Sequence, residues 1–361
     1  MRVIISGGGT GGHIFPAIAI ANALKAIDKN VEILFVGAEG RMEMEKVPAA
    51  GYKIEGLWIS GLQRRLTIDN LSFPFKVISS IMKAKRIIKS FRPDAAVGTG
   101  GYASGPMLRV ASGMKIPTLI QEQNSFPGIT NKLLSGRVNK ICVAYSGMEK
   151  YFPKEKLILT GNPVRQDILS LEGKRTEAIK FFELNPDKRT LLVIGGSLGA
   201  RTINESIAGC LEELSKNNIQ VIWQTGKHYA YSSPQGGGRE GVWIGAFITK
   251  MDLAYAAADV VVSRAGAISL SELAIVKKPC ILVPSPNVAE DHQTKNAMAL
   301  VGKEAAVLVK DPEARAKLGN EIISLANDIQ RQNKLKENIS KLAFANAAEA
   351  IAREVIQLVK K

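Results

Sequence analysis

The 361-residue sequence has few of the residues that build metal sites or disulfide frameworks. It contains three cysteines and three histidines, with no C-x-x-C motif and no histidine pair at metal-ligand spacing. Cys142, Cys210 and Cys280 lie far apart and share no motif, so we expect buried thiols in a reducing compartment. We therefore predict neither a disulfide framework nor a metal site built from protein side chains.

Long apolar runs are also missing from the sequence. No stretch approaches the roughly 20 residues of a membrane span, and the first residues lack the regions of a secretory signal peptide. Basic residues outnumber acidic ones by 48 to 33, which gives a formal net charge of +15. This excess favours an anionic partner: a phosphate-rich ligand, an anionic membrane surface or a nucleic acid. The basic residues carry no aromatic interleaving and no known nucleic-acid motif, so we expect no nucleic-acid partner.

Strands and helices alternate along both halves of the chain, which is typical of parallel βαβ units. Apolar, β-branched runs predict strands at 2–6, 31–36 and 95–97, and again at 190–194, 219–224 and 259–263. Both halves also repeat one pattern: a strand leads into a loop of small residues, and a helix and a Lys-x-Pro turn come next. The sequence therefore predicts two similar doubly wound α/β domains, joined near the extended Gly-Asn-Pro segment at 161–163.

Residues 7–12 form a glycine-rich loop between the first strand and the first helix. The free N–H groups at a helix N-terminus favour anions, and glycines let a ligand approach the backbone. The loop matches the dinucleotide fingerprint, but Glu32 opens the second strand instead of ending it and Glu39 comes late. An NAD(P)-dependent oxidoreductase is thus an alternative that rests on this loop alone, and a purely structural turn is another.

Three polar residues near these loops are candidates for chemistry. His13 follows the first loop, where a neutral imidazole could take a proton from a sugar hydroxyl, or simply pack against the sheet. Glu272 lies near the start of a helix after the small-residue loop at 264–267. It could complement the helix dipole or accept hydrogen bonds from both hydroxyls of a ribose. Arg165 could be a surface charge or contact a nucleotide.

Nine segments, in this order, identify a family resemblance over nearly the whole chain: GGGTGGHIFPAIAIANAL, ISGL, GTGGYASGP, EQN, TNK, GNPVR, GGSLGA, RAGAISLSE and DHQTKNA. The chain resembles the MurG glycosyltransferases, which add N-acetylglucosamine from its UDP donor to a lipid-linked muramyl-pentapeptide in peptidoglycan synthesis. The resemblance implies a GT-B fold, with two Rossmann-like domains facing an interdomain cleft. We expect residues 1–162 to bind the lipid acceptor and the membrane, and residues 163–344 to bind the UDP-sugar. A helix at about 345–361 is expected to pack back on the first domain.

The resemblance also implies a reaction and its partners. N-acetylglucosamine would move from UDP-N-acetylglucosamine to the C4 hydroxyl of undecaprenyl-pyrophosphoryl-MurNAc-pentapeptide, with inversion at the anomeric carbon. The family needs no cofactor and no metal held by an Asp-x-Asp motif, and this sequence has no such motif. The enzyme would act as a peripheral protein on the cytoplasmic face of the bacterial cell membrane.

Roles for individual residues follow from the resemblance by position. Glu272 would bind the uridine ribose, the backbone of Ile248 would read the uracil edge, and Arg165 would lie beside the nucleotide. His13 would be the base for the acceptor hydroxyl. Further donor contacts would come from Thr10, Gly11, Gly12, Asn124, Ser197, Ala267, Ile268, Ser269, Leu270, Ser271 and Gln293, and acceptor contacts from Tyr102 and Glu122.

Two positions depart from the pattern of many relatives. Gln121 stands where a histidine is common, so this position cannot serve as an acid or base. Leu198 stands where glutamine is common, which removes a side-chain contact to phosphate but leaves the backbone contacts.

The stretch at 66–91 mixes apolar and basic side chains at helical spacing. An amphipathic helix packed on the core accounts for some of them. Because the implied acceptor is a membrane lipid, we also predict an apolar patch rimmed by cations that rests on anionic lipid. Its members are Leu71, Phe73, Phe75, Ile78, Ile81 and Met82, with Lys76, Lys83, Lys85, Arg86 and Lys89.

Overall fold

The computed structural model describes residues 1–61, 73–196, 199–229 and 240–360. The chain forms two compact units. Unit 1 comprises Met1–Val164 and Asn346–Lys361, and unit 2 comprises Arg165–Ala345.

Unit 1 is built on a parallel sheet of seven strands in the order β3-β2-β1-β4-β5-β6-β7. The strands are β1 (Arg2–Gly7), β2 (Glu32–Ala38), β3 (Lys53–Leu57), β4 (Ala95–Gly100), β5 (Thr118–Glu122), β6 (Lys140–Val143) and β7 (Leu157–Leu159). The helices between them are α1 (Gly11–Ile27), α2 (Glu43–Ala49), α3 (Phe73–Phe91), α4 (Ser104–Gly113) and α5 (Ile129–Leu134). The strand order reverses between β1 and β4, and ligands of such sheets bind at the carboxyl ends of the strands beside this point.

Helices cover both faces of this sheet, and most side chains of its central strands are buried and apolar. Side chains of β1 alternate between the two layers. Ile4 packs with residues of α3 and α4, including Ile88 and Met107. Val3 and Ile5 pack on the opposite face with residues of α1 such as Ile20.

Unit 2 repeats the plan with six parallel strands in the order β10-β9-β8-β11-β12-β13. The strands are β8 (Arg189–Ile194), β9 (Ile219–Gln224), β10 (Val242–Gly245), β11 (Val260–Ser263), β12 (Cys280–Leu282) and β13 (Val307–Leu308). The helices are α6 (Arg175–Phe181), α7 (Arg201–Lys216), α8 (Met251–Ala257), α9 (Ala267–Val276), α10 (His292–Val301), α11 (Ala314–Asn327) and α12 (Ile329–Ser340). Short 3-10 turns lie at Met148–Lys150, Lys154–Lys156, Gln166–Ile168, Ala289–Asp291 and Asp311–Glu313. Here the order reverses between β8 and β11, so the same rule points to the loops after these strands.

The last helix of the chain, α13 (Ala347–Val359), belongs to unit 1. Ile351, Ala352 and Val355 of α13 lie in the same buried cluster as the apolar face of α1. Lys140 at the start of β6 forms an ion pair with Glu354 on this helix. The end of the chain is thus part of the first core.

The predicted fold class is confirmed: both halves are parallel α/β units with doubly wound strand orders. The stretch at 66–91, with its helical spacing, is a helix from Phe73 to Phe91, and residues 66–72, Leu71 among them, lie outside the described residues. The strand in the apolar segment 279–284 is short, Cys280–Leu282. Proline at both ends of that segment has no N–H to donate to a neighbouring strand.

The three cysteines are free thiols, with Cys142 and Cys280 buried and Cys210 partly exposed. Burial raises the pKa of Cys142 and of Cys280 to about 12, so these two remain protonated at neutral pH. Across the described residues, no helix is both long and apolar enough to cross a membrane.

Candidate active site

In unit 1, the loops after β1 and β4 pack backbone against backbone at the reversal point. Gly7 lies opposite Gly100 in the sheet, and the Gly8 N–H donates to the Gly100 carbonyl oxygen at 3.3 Å. Gly101 has a φ of +86°, and a Cβ added there would overlap the Gly8 carbonyl. Glycine is required at these positions because any side chain would push the two loops apart.

The first loop leads directly into α1. Thr10 is exposed with extended backbone, and its carbonyl accepts the first bonds of the helix, from His13 N and Ile14 N. The N–H groups of Gly11 and Gly12 precede these bonds in the first helical turn, where no intrahelical partner exists. This end of α1 is therefore suited to an anionic or strongly polar ligand.

His13 is held by the two loops. Its Nδ1 lies 2.9 Å from the Gly8 carbonyl oxygen, and its own carbonyl accepts from the Thr99 hydroxyl at 2.9 Å. A carbonyl oxygen only accepts, so the hydrogen bond assigns the proton to Nδ1 and leaves the Nε2 lone pair free to act as a base. The ring lies against Gly100, where an added Cβ would be 2.9 Å from Nε2.

A buried carboxylate that the sequence did not single out supports the same loop. Glu43, the first residue of α2, is fully buried. Its Oε2 accepts from Gly9 N and its Oε1 from Ala38 N, both at 2.9 Å. An acid in the first turn of a helix is common on a solvent-facing surface, so nothing local marks Glu43 as a partner of a loop 34 residues earlier.

Two of the predicted contact residues of unit 1 lie at the end of β5 and just after it. Glu122 is only 2% exposed, and it accepts hydrogen bonds from Asn124 N, Gly128 N and Asn131 Nδ2 at 2.8–3.1 Å. Its carboxylate is thus used within the protein, and this geometry assigns Glu122 to shaping the loop at 123–128 instead of touching an acceptor. Asn124 is held at the start of that loop.

Tyr102 and Gln121 have opposite surroundings. Tyr102 is 47% exposed, and its ring lies against Gly61. Gln121 is fully buried and donates from Nε2 to Asn162 Oδ1 at 2.9 Å. The Gln121 amide therefore forms a structural hydrogen bond, close to where the first segment of unit 1 ends at Val164.

In unit 2, a pocket of about 380 Å³ lies at the carboxyl ends of β8 and β11. The two strands are joined at this end by a hydrogen bond from Arg264 N to the Ile194 carbonyl, at 3.2 Å. Backbone of the glycine-rich loop after β8 (195–200) and several polar side chains line the pocket, among them Arg264, Ser269 and Gln293. Ser197 and Leu198 lie outside the described residues.

An ion pair that no local sequence pattern marks lies in the wall of the pocket. Arg264 pairs with Asp311, and both side chains are 13% exposed. The Arg264 Nη1 also donates to the carbonyls of Val283 and Pro284, at 3.0 and 3.1 Å. Asp311 accepts in addition from the Thr202 hydroxyl on α7 at 2.9 Å. The Arg264 guanidinium thus links the segments after β12 and β13 to the carboxyl end of β11.

The segment 267–271, to which the resemblance assigns donor contacts, is the start of α9. Leu270 is 1% exposed, and its N–H already donates to the Gly266 carbonyl at 3.0 Å. The Ser271 hydroxyl donates to the Ala267 carbonyl at 3.1 Å. Ser269 therefore lines the pocket, whereas the side chain of Leu270 is part of the buried core.

Gln293 lies on α10, at another side of the same pocket. Its Oε1 accepts from Ser285 N at 2.9 Å, which fixes the amide orientation. The side-chain NH₂ remains the donor end of this residue.

Glu272 forms a separate polar cluster with Tyr255 of α8 and Arg165. The Tyr255 hydroxyl donates to Glu272 Oε2 at 3.0 Å. Burial raises the pKa of Glu272 to about 7, although the nearby Arg165 guanidinium and the tyrosine hydroxyl both lower it. Arg165 itself pairs with Asp167 at 3.0 Å. Among the described residues, no group of three or more His, Cys, Asp or Glu side chains is placed to hold a metal ion.

Ile248 has a buried side chain, 1% exposed, in the segment between β10 and α8. The residue as a whole has almost no exposed surface, so its backbone is covered as well as its side chain. Phe247 beside it is 56% exposed.

Both halves of the chain match models of known domains. The model described as the glycosyltransferase family 28 N-terminal domain matches residues 3–143. The model described as the glycosyltransferase family 28 C-terminal domain matches residues 190–351.

Several curated relatives are similar over almost their whole length. A UDP-N-acetylglucosamine--N-acetylmuramyl-(pentapeptide) pyrophosphoryl-undecaprenol N-acetylglucosamine transferase from Flavobacterium psychrophilum is 57% identical, over 99% of this chain and 98% of that protein. A transferase of the same name from Cytophaga hutchinsonii is also 57% identical, over 99% of this chain and 97% of that protein.

Solved structures share the fold. MurG from Acinetobacter baumannii superposes with a TM-score of 0.78 at 27% identity, over 99% of both chains. A UDP-GlcNAc 2-epimerase from Neisseria meningitidis superposes with a TM-score of 0.66 at 14% identity, over 99% of this chain and 100% of that one, and shows a common fold only.

Proposed function

This chain belongs to glycosyltransferase family 28, and we propose its function from its similarity to the N-acetylglucosamine transferases named above. The chain is a UDP-N-acetylglucosamine-dependent glycosyltransferase of the GT-B fold. It transfers N-acetylglucosamine to the C4 hydroxyl of undecaprenyl-pyrophosphoryl-MurNAc-pentapeptide, which converts lipid I to lipid II in peptidoglycan synthesis. The observation that carries this function is the match of both domains and of full-length relatives at 57% identity.

The nucleotide-sugar site is assigned to unit 2. Its pocket at the β8–β11 reversal has the backbone N–H groups, Arg264 and Ser269 that suit a diphosphate. Glu272 accepts hydrogen bonds from the two ribose hydroxyls, and the backbone of Ile248 forms hydrogen bonds with the edge of the uracil. Arg165 lies beside the nucleotide, and Gln293 offers its amide to the sugar.

Unit 1 supplies the base and the acceptor site. His13 takes the C4 hydroxyl proton on Nε2 as the C4 oxygen bonds to the anomeric carbon from the face opposite to the diphosphate. The anomeric carbon–oxygen bond to UDP breaks, and its electron pair leaves with the diphosphate. Attack from the opposite face inverts the anomeric configuration. Tyr102 and the loop at 10–12 contact the reacting sugars, and Asn124 contributes to donor binding.

We assign the membrane-docking surface to α3. Phe75, Ile78 and Met82 recur at positions i, i+3 and i+7 of this helix and are 69%, 56% and 53% exposed. Lys85, Arg86 and Lys89 follow on the next turns. An exposed apolar stripe beside cations fits the surface of an anionic bilayer, so the protein would act peripherally on the cytoplasmic face of the membrane.

The proposed function is tested by incubating the purified chain with UDP-N-acetylglucosamine and the lipid-linked acceptor, and following formation of the disaccharide lipid. UDP release that depends on the acceptor is expected. No product with the authentic acceptor would reject the assignment.

The oxidoreductase alternative is wrong, because the loop that suggested it lies in a domain of glycosyltransferase family 28. Thermal stabilisation by UDP-N-acetylglucosamine, and none by NADH, is the expected result. We expect no nucleic-acid partner, and a gel-shift assay at physiological salt checks this.

A further inference from the structure

One peptide group of the first glycine loop lies between two side chains. The carbonyl oxygen of the Gly8–Gly9 peptide accepts from His13 Nδ1, and the N–H of the same peptide donates to Glu43 Oε2. Both heavy-atom distances are 2.9 Å. A continuous path of two hydrogen bonds therefore joins the buried carboxylate to the imidazole.

We propose that Glu43 is a positioning residue for His13: through the Gly8–Gly9 peptide it holds the imidazole with its proton on Nδ1, leaving Nε2 to accept the acceptor's proton. This inference rests on the proposed function, because it concerns the same proton transfer. Glu43 does not touch the substrate in this arrangement, and it acts only through the loop.

The surroundings of Glu43 are shaped around its carboxylate. A Cβ added to Gly8 would overlap Glu43 Oε1, and one added to Gly37 would be 2.5 Å from Glu43 Cγ. Glycines on two sides thus leave the space that this side chain fills. Burying a carboxylate is costly unless its oxygens are hydrogen-bonded, and here each oxygen accepts one backbone N–H.

The carboxylate also changes the strength of the second hydrogen bond. An N–H that donates to a negative charge polarises its peptide, so the carbonyl oxygen at the other end becomes a better acceptor. The Nδ1–H bond of His13 is thereby strengthened, which fixes the tautomer and the ring orientation. Carboxylates orient histidines in a comparable manner when they bind directly to the second ring nitrogen.

Glu43→Gln tests the role with almost no change in shape. A glutamine has one acceptor oxygen, so Gly9 N–H and Ala38 N–H can no longer both be satisfied, and the charge is lost. We expect kcat to fall about 10- to 100-fold, as for outer-shell partners of histidine ligands, while KM for UDP-N-acetylglucosamine changes less than about twofold. Glu39→Gln is the matched control, because Glu39 is exposed and bonds Lys83.

The tautomer of His13 distinguishes a positioning role of Glu43 from a purely structural one, because a purely structural residue would not change it. The chain has three histidines, so ¹⁵N NMR resolves His13 once a His13→Gln variant has assigned its signals. The wild-type protein should show the Nδ1–H tautomer, and Glu43→Gln should show a mixture of both tautomers.

The outcomes separate this inference from the proposed function. Wild-type kcat and an unchanged tautomer in a folded Glu43→Gln protein would overturn the role of Glu43. If Glu43→Gln does not fold, the wild-type spectrum decides: an Nε2–H tautomer overturns the inference, and an Nδ1–H tautomer supports it. A tautomer that responds to Glu43→Gln, in a chain without transferase activity, would reject the proposed function and leave the link between Glu43 and His13 intact.

Discussion

The hydroxyl of Tyr255 donates to Oε2 of Glu272 at 3.0 Å, from a side chain that is fully buried in unit 2. Burial raises the pKa of Glu272 to about 7 and that of Tyr255 well above its ordinary value. The tyrosine therefore keeps its proton and remains a donor at neutral pH, whereas a pKa of about 7 lets Glu272 exchange between acid and carboxylate in that range. The residue assigned to the ribose is thus sensitive to pH in the range where the enzyme would work.

Donor affinity should depend on pH through Glu272. The ionised carboxylate, which predominates above pH 7, can accept a hydrogen bond from each of the two ribose hydroxyls. As the pH falls through 7, Glu272 gains a proton, so the Kd for UDP-N-acetylglucosamine should rise, approaching tenfold per pH unit, and should be constant above about pH 8. Calorimetric titrations between pH 5.5 and 8.5 measure this, and Glu272→Gln should remove the dependence. Glu272→Ala should weaken binding at least tenfold, from hydrogen bonds of about 1.5–3 kcal/mol each; unchanged affinity would reject the ribose role.

Replacing His13 should affect turnover more than donor binding. A general base contributes about 10²–10⁴-fold, so His13→Ala should lower kcat by that factor and leave the Kd for UDP-N-acetylglucosamine within a few-fold. Steady-state kinetics and calorimetry separate the two. His228→Ala, the same change at an exposed histidine, should retain wild-type kcat. A His13→Ala enzyme within a few-fold of wild type would exclude His13 as the sole base.

A methyl group at position 100 should displace His13. The Cβ of Gly100→Ala would lie 2.9 Å from both Nε2 and Cδ2 of the imidazole, at a φ of +102° that strains any residue but glycine. Backbone strain of this kind costs about 1–3 kcal/mol. We expect a folded protein with a lower Tm and a kcat reduced about 100-fold or more.

Gly113→Ala is the control for this change, since Gly113 ends α4 and an added Cβ there meets no atom within 4 Å. It should keep wild-type activity. Equal activity of both variants would contradict the contact between Gly100 and His13.

Removing the partner of Arg264 should destabilise unit 2. Asp311→Ala would leave the guanidinium largely buried without its carboxylate, a loss on the order of 3 kcal/mol in unfolding free energy. Donor affinity should also fall, because the guanidinium holds the pocket segment after β12. Urea denaturation and calorimetry measure the two effects. The control is Glu304→Gln, which breaks the exposed ion pair with Lys334 and should change the free energy of unfolding by less than about 0.5 kcal/mol. An equal loss in both variants would show that the buried pair of Arg264 and Asp311 contributes no more than an exposed one.

Vesicle binding should depend on α3 and on salt. Replacing Phe75, Ile78 and Met82 together by serine should abolish co-sedimentation with anionic vesicles, because the exposed apolar stripe is lost. Binding of the wild type should also weaken sharply between low and high salt.

The control for this experiment is the serine triple at three apolar residues of unit 2 that are about equally exposed: Phe181, Met298 and Ile329. This variant should bind vesicles as the wild type does. Equal binding to neutral and anionic vesicles would contradict the electrostatic part of the prediction.

Local patterns in the sequence were sufficient for the two parallel sheets and for their helices. Apolar runs such as 2–6 and 190–194 indicated buried strands because both faces of a parallel sheet are covered. The loops at 7–12 and 264–267 were recognised because backbone that approaches a ligand or another loop requires small residues. His13 and Glu272 became candidates through their place beside those loops.

Other features depended on contacts between distant parts of the chain. No local pattern marks Glu43 as the partner of Gly9, Asp311 as the partner of Arg264, or Tyr255 as the donor to Glu272. These pairs are separated by 34, 47 and 17 residues, and they form only where two elements pack together.

The sequence by itself determined the fold class, the family resemblance and the candidate base His13, because spacing and residue type act locally along each strand, loop and helix. The tertiary structure decided which groups are buried and which donors reach them. That is why Glu122 shapes a loop, Leu270 belongs to the core, Glu272 titrates near neutrality and Glu43 supports His13. Burial and hydrogen bonding set the charge state of a side chain, and both arise only when remote segments meet.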